Sequence, residues 1–189
     1  MGVEERMADR CNTIRLYSFQ TDVVYQVLKR DGVCYSKEEY VRKKYKESAK
    51  VFINAYGWFV KEAQHIVPKP EGAEYPYWAF TDLYNVDQTG DGHVLTLDVP
   101  IGEAILFDMF DWTKIMQMHY IGENESEEAT FSEELKNMGM NEFQIMTSNF
   151  YPEQKARIQE SWKRLFGHQQ AIEAGDNSGV HSVQAGLWC

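Results

Sequence analysis

The sequence predicts an α+β domain: a mixed or antiparallel core sheet of about five to six strands, with helices packed against it. Three observations lead there. Short segments rich in β-branched and aromatic residues recur from one end of the chain to the other. Between them run apolar stripes at spacings of three and four, the period of a helix face. No Pro/Gly/Ser-rich linker interrupts the 189 residues, of which 43% are hydrophobic and 14% aromatic, enough to build a sizeable core. Residues 13–189 are expected to form one domain, preceded by a polar, flexible N-terminus over 1–12.

TIRLYSF, Thr13 to Phe19, alternates as a strand. Thr21 is placed to cap a following helix that carries Val23, Val24, Val27 and Leu28, and Gly32 supplies its stop. Ser36 with Glu39 reads as a capping box opening a second, basic helix. A longer helix follows, with Phe52, Ala55, Tyr56, Phe59, Ala63 and Ile66 along one side, and Pro68 and Pro70 end it. YPYWAFTD, Tyr75 to Asp82, and VLTLDVP, Val94 to Pro100, are two further strands. AILFDMFDW gives another that ends near Asp108, with a helix from about Asp111 to Met118. ENESEEATFSEE, from Glu123 to Glu134, is an acidic solvated helix or loop. Pro152 opens a helix carrying Ile158, Trp162, Leu165, Gln169 and Ile172. GDNSG breaks it, and VHSVQAGLW forms a last strand.

The stretch DQTGDGHVLTLD, Asp87 to Asp98, matches much of a calcium-loop pattern: Asp, Thr, Asp and Gly at the first, third, fifth and sixth positions and a carboxylate at the twelfth. Its neighbours favour strands rather than the two helices such a loop needs. Gly90 and Gly92 suit the positive backbone dihedrals of a hairpin connection, so the segment is expected to pair YPYWAFTD with VLTLDVP and to hold no metal. The five histidines are scattered and none has a ligand-spaced partner.

The formal charge of −10, from 29 acidic and 19 basic residues, opposes nucleic-acid coating. VRKKYKESAK is read as a solvated helix surface. No apolar stretch is long enough for a signal peptide or membrane span, so no membrane association is expected. Cys11, Cys34 and Cys189 lack metal-ligand spacing. These features together point to a reduced, cytoplasmic protein.

Candidate ligand contacts sit where strands hand over to other elements. Ser18, Gln20 and Thr21 lie at the end of the first strand, beside a helix N-terminus, where polar side chains suit a ribose or phosphate. Asp108 and Asp111, three apart at a strand-to-helix junction, could share a ligand, although capping of the following helix by Asp108 or Asp111 is the simpler explanation. The rings around Tyr75, Tyr77, Trp78 and Phe80 could line a cleft for a small molecule or a protein partner. No nucleophile elbow, phosphate loop or dinucleotide fingerprint is present.

LYSFQT, PEGAEYPYWAF, VLTLDVP with DMFDW, and the ending VQAGLW together resemble a bacterial family of unknown function over nearly the whole chain. The opening is also similar to that of ADP-ribosyltransferase folds, which begin with a strand, a polar tripeptide that grips NAD, a helix and a Gly. Those folds place a catalytic Glu on a late strand in a Q-x-E or E-x-E pattern. The resemblance implies NAD as a substrate, with Ser18, Gln20 and Thr21 as contacts and Gln184 at the first motif position. Gly186 stands where the catalytic Glu belongs, and no Arg or His follows Leu16. Either another acid such as Glu173 or Asp176 substitutes, or the chain binds without that chemistry. The alternative reading is a non-enzymatic ligand- or protein-binding domain with an aromatic-lined cleft.

Overall fold

The computed structural model describes residues 12–188. The expectation for the N-terminal residues, and the thiols of Cys11 and Cys189, lie outside that range. Five strands form one antiparallel sheet: β1 (Thr13–Thr21), β2 (Tyr77–Phe80), β3 (Gly92–Pro100), β4 (Ile105–Asp108) and β5 (Val183–Leu187), in the spatial order β3-β1-β2-β5-β4. The helices are α1 (Asp22–Asp31), α2 (Glu38–Tyr45), α3 (Ala49–Ala63), α4 (Met109–Met116), α5 (Glu125–Asn137), α6 (Glu142–Thr147), α7 (Pro152–Ser161) and α8 (Gln169–Glu173). The α+β expectation is met, with an all-antiparallel sheet. None of the described helices is long and apolar enough to cross a membrane.

β1 and β3 pair without interruption from Thr13↔Pro100 to Thr21↔Gly92. That pairing corrects the expected hairpin between β2 and β3, because β1 lies between them. The physical reason is the connection itself. Residues 81–91 hold a 3-10 turn at Leu83–Asn85 and then an Asx turn, in which Asp87 Oδ1 accepts from Thr89 N (3.0 Å) and Thr89 Oγ1 (2.6 Å). Such a loop spans a neighbouring strand instead of folding back in two residues. Gly90 does take a positive φ of +111°, whereas Gly92 does not. Gly92 is required by space: a Cβ there would lie 2.4 Å from the Gln20 carbonyl oxygen and 2.6 Å from the Phe19 ring.

Local caps differ in part from the expected ones. Gly32 closes α1 in the left-handed region at φ +75°, donating its N–H to Leu28 O at 2.9 Å, as expected. Thr21 occupies the N-cap position of α1, but its side chain makes no capping bond. The Ser36–Glu39 box does not form. Ser36 bridges Tyr75, and Glu74 supplies the carboxylate that accepts the Glu38 N–H at 2.7 Å.

Each face of the sheet carries its own apolar cluster. One face meets α3 and α4 through Phe59, Phe107, Trp112 and Ile105. The other gathers Leu16, Ala79, Leu106, Val183, Ala185 and Leu187 under Ile172. β4, at one edge, is sealed by Gln169: its Oε1 accepts from Leu106 N (2.6 Å) and its Nε2 donates to Ala104 O (3.1 Å). The side chain thus completes the main-chain bonds that a further strand would supply.

Candidate functional site

Residues directly opposite in antiparallel strands share a face. Tyr17 pairs with Phe80, Phe80 with Gln184, and Gln184 with Phe107, so the four side chains form one row across β1, β2, β5 and β4. Phe107 belongs to the cluster under α3 and α4, which fixes the row on that face. The first and last strands both flank β2, and the row joins them.

Above this row stands an aromatic frame. Trp112, on α4, has its ring centroid 4.7 Å from that of Trp78 and 6.1 Å from that of Phe107. Trp78 is on β2 and Phe107 on β4, on either side of β5, so Trp112 bridges over β5. Phe59, on α3, stands over Gly186, and Tyr56 Oη accepts the Trp78 Nε1 proton at 3.2 Å. Burial pushes the Tyr56 hydroxyl well above its ordinary pKa, so it stays protonated.

Gln184 is only 3% exposed, yet its side-chain amide makes no hydrogen bond among the described residues. No fully sealed side-chain nitrogen or oxygen in the described chain lacks a partner, so the amide opens onto accessible space. The indoles of Trp78, Trp162 and Trp188 donate to Tyr56 Oη, His119 O and Val67 O. That of Trp112 has no acceptor among the described residues. An amide with two donors and an acceptor, framed by rings, is therefore left with its bonding capacity unspent.

Other expected contacts are spent on structure. Ser18, 2% exposed, faces the opposite side of the sheet; its Oγ donates to Trp78 O at 2.7 Å and accepts from Gln20 Nε2 at 2.8 Å. Gln20 lies across from His93, three residues from Tyr17 and so on the face away from Gln184. Ser18, Gln20 and the Trp78 carbonyl come together as a stitch between β1 and β2. Thr21 is exposed at the strand end. Tyr77 turns away from the aromatic frame, and its hydroxyl donates to the free thiol of Cys34 at 3.2 Å. Gln184, Trp78 and Phe80 are the expected residues that reach the row and its frame. Tyr17, Trp112 and Phe59 complete it, and only the nonlocal register reveals Tyr17's part.

The profile of a family described as a domain of unknown function, DUF3841, matches residues 15–189. The chain belongs to DUF3841. No curated protein and no solved structure matches it.

A second polar corner of this DUF3841 chain lies where β4 ends and β5 begins. Asp108, buried, caps α4 by accepting the Phe110 N–H at 3.0 Å, and its other oxygen accepts the His181 N–H at 3.0 Å. His181 Nδ1 lies 2.8 Å from that same oxygen. A carboxylate only accepts, so the ring proton sits on Nδ1 and Nε2 is left free. The ring stacks on Phe110 with centroids 4.7 Å apart. Burial works to raise the Asp108 carboxyl, but the His181 and Phe110 N–H groups outweigh it and hold it below its ordinary value. Asp111 is pushed the opposite way, by burial first and then by the Asp108 charge.

Neither proposed substitute acid is free. Glu173 accepts from Gln169 Nε2 at 2.5 Å, and Asp176 closes a turn by accepting from Ser178 N (3.0 Å) and Oγ (2.7 Å). The described residues contain no cluster of three metal-ligating side chains. In the former calcium pattern Asp98 instead pairs with Arg15 through Nε at 2.8 Å. Two surface grooves of about 340 and 540 Å³ flank Tyr120, remote from the sheet. Their cations are already engaged, Arg157 by Glu134 and Arg164 by the Ile121 carbonyl.

Proposed function

We propose that this DUF3841 chain binds a nucleotide-class ligand with a flat, amide- or base-bearing ring, NAD among them, on the Tyr17–Phe80–Gln184 row. One observation carries the reading: the nearly buried Gln184 amide without a partner. The amide reaches accessible space, so water serves it in the empty protein, and a ligand edge that matches its donors and acceptor can take that water's place. The surrounding rings favour a flat apolar body, while an amide can both donate to and accept from the edge of a carboxamide or nucleobase.

Of the contacts that the ADP-ribosyltransferase resemblance implies, Gln184 alone lies on this row, since Ser18 and Gln20 face the other side of the sheet. Transfer itself is not proposed. The resemblance puts the catalytic carboxylate at residue 186, where a Cβ would already lie 2.9 Å from Phe59. The chain is read as a binder that senses or sequesters its ligand.

Titration of the chain with NAD, nicotinamide and AMP, followed by tryptophan fluorescence and calorimetry, tests this. The expected result is saturable binding of at least one of the three that Gln184→Leu abolishes, with no label transferred from NAD to protein. Absence of binding by all three at millimolar concentration overturns the proposal, and so does binding that Gln184→Leu leaves intact.

A further inference from the structure

The two edges of the sheet are treated differently. β4 is sealed by Gln169 and by the chain around α8. β3 ends the sheet on the other side, and among the described residues nothing pairs with its outer edge. Most of the usual protections of an open edge are missing there, since the strand's one carboxylate, Asp98, is paired with Arg15 of β1. Gly92–Pro100 contains no lysine, its register with β1 runs without a bulge, and its one proline is the last residue. An unprotected edge of this length is a template for another strand.

Strand β3 is complementary to itself. Its odd-numbered residues His93, Leu95, Leu97 and Val99 are half-buried on the face of Leu16, and the even-numbered ones are exposed. When two copies pair antiparallel over the full strand, Thr96 meets Thr96 on the two-fold axis. Leu95 then meets Leu97, His93 meets Val99, and Val94 meets Asp98. Apolar side chains thus fall opposite apolar ones on one face. His93 and Asp98 are the titratable side chains of the strand, and this register puts no like charges opposite each other.

Helix α1 adds a second observation. It is amphipathic but buries no residue, and Val23 remains 74% exposed. Its first turn sits over the His93 end of β3, with His93 Nε2 3.0 Å from Asp22 Oδ1 and the Tyr25 ring 4.1 Å from that of His93. The two-fold brings His93 of each copy beside Val99 of the other. The first turn of α1, with the exposed Val23, then lies near the half-buried Val99 of the second copy.

We propose that β3 is a dimerisation edge, through which two copies of this chain join antiparallel about Thr96 into one continuous sheet. Sedimentation equilibrium over a concentration series tests it. The wild-type chain is expected to approach twice the 22.0 kDa monomer mass. Thr96 is exposed, so Thr96→Lys and Thr96→Glu should each fold as wild type by circular dichroism. Each places like charges face to face on the axis and is expected to remain monomeric. An equimolar mixture of the two should recover the dimer as a heterodimer. A wild-type chain that stays monomeric throughout overturns the proposal, as does a Thr96→Lys chain that still dimerises.

Discussion

Phe59 stands directly on Gly186: a Cβ built at 186 would lie 2.9 Å from the ring Cζ and 3.1 Å from Cε1. Gly186 is in a strand and takes no positive φ, so the reason for glycine is space rather than backbone conformation. Phe59 is fully buried beneath α3 and touches the rings of Trp78, Phe107 and Trp112, so it has little room to withdraw.

Gly186→Ala is therefore expected to destabilise the fold by about 1–3 kcal/mol, the usual cost of overpacking a filled core. Gly186→Glu should do worse, because a carboxylate would also be buried without a partner. Urea denaturation of both variants measures this. A Glu variant as stable as wild type would show that the ring moves aside, and would reopen the late strand to a catalytic acid.

Gln169 seals β4 by serving as acceptor and donor at once. Gln169→Ala leaves the Leu106 N–H and the Ala104 carbonyl unpaired in a buried setting, at a cost of about 1–3 kcal/mol. Amide exchange locates the effect: the Leu106 proton should exchange faster, while amides in the β1–β3 ladder keep their protection relative to global stability. Uniform acceleration would mean that Gln169 acts through the whole core.

Asp108 and Asp111 are three residues apart and should give opposite pH dependences. The folded pKa of Asp108 is depressed, so its contribution to stability is present above the ordinary carboxylate range and lost as pH falls through the lower native value. Asp111 is raised, so the native state prefers its neutral form, and stability falls as pH climbs through that higher value. Asp111→Asn should accordingly raise Tm at neutral pH and change little in acid. Asp108→Asn should lower Tm at neutral pH and flatten the acid limb. Melting curves from acid to neutral pH check both signs.

Much of the sheet is legible in the sequence because strand character is local. TIRLYSF, YPYWAFTD, VLTLDVP and VHSVQAGLW carry their alternation or ring density within a few residues, and each overlaps an observed strand. Pairing is not local, and there the reading departs from the structure. DQTGDGHVLTLD looks like a hairpin because its glycines and its flanking strands are adjacent in sequence, but the nine-residue match of β1 with β3 decides the order. The Ser36–Glu39 box loses to Glu74, a competitor far along the chain. The site follows the same logic. Gln184 enters the sequence reading through the ADP-ribosyltransferase resemblance alone, whereas Tyr17 joins it only through two successive strand registers. Gln20, its expected companion, is put on the other face by the odd three-residue offset from Tyr17.

An unspent amide held for a ligand should make the empty protein less stable than its sequence permits. Gln184→Met keeps the length and approximate volume of the side chain and removes the unpaired amide, and a thioether packs well among Phe80, Phe107 and the Trp112 ring. The variant is expected to be more stable than wild type by up to about 1 kcal/mol, because replacing a nearly buried amide that has no protein partner by an apolar group of like shape is neutral to favourable. It should at the same time lose the ligand response of the wild-type chain. Thermal melts of both proteins with and without NAD, nicotinamide and AMP read the two effects together: a higher Tm without ligand, and no upward shift with it. A Gln184→Met chain that melts well below wild type would place the amide in a structural role, and a shift retained at wild-type size would move the ligand off this row.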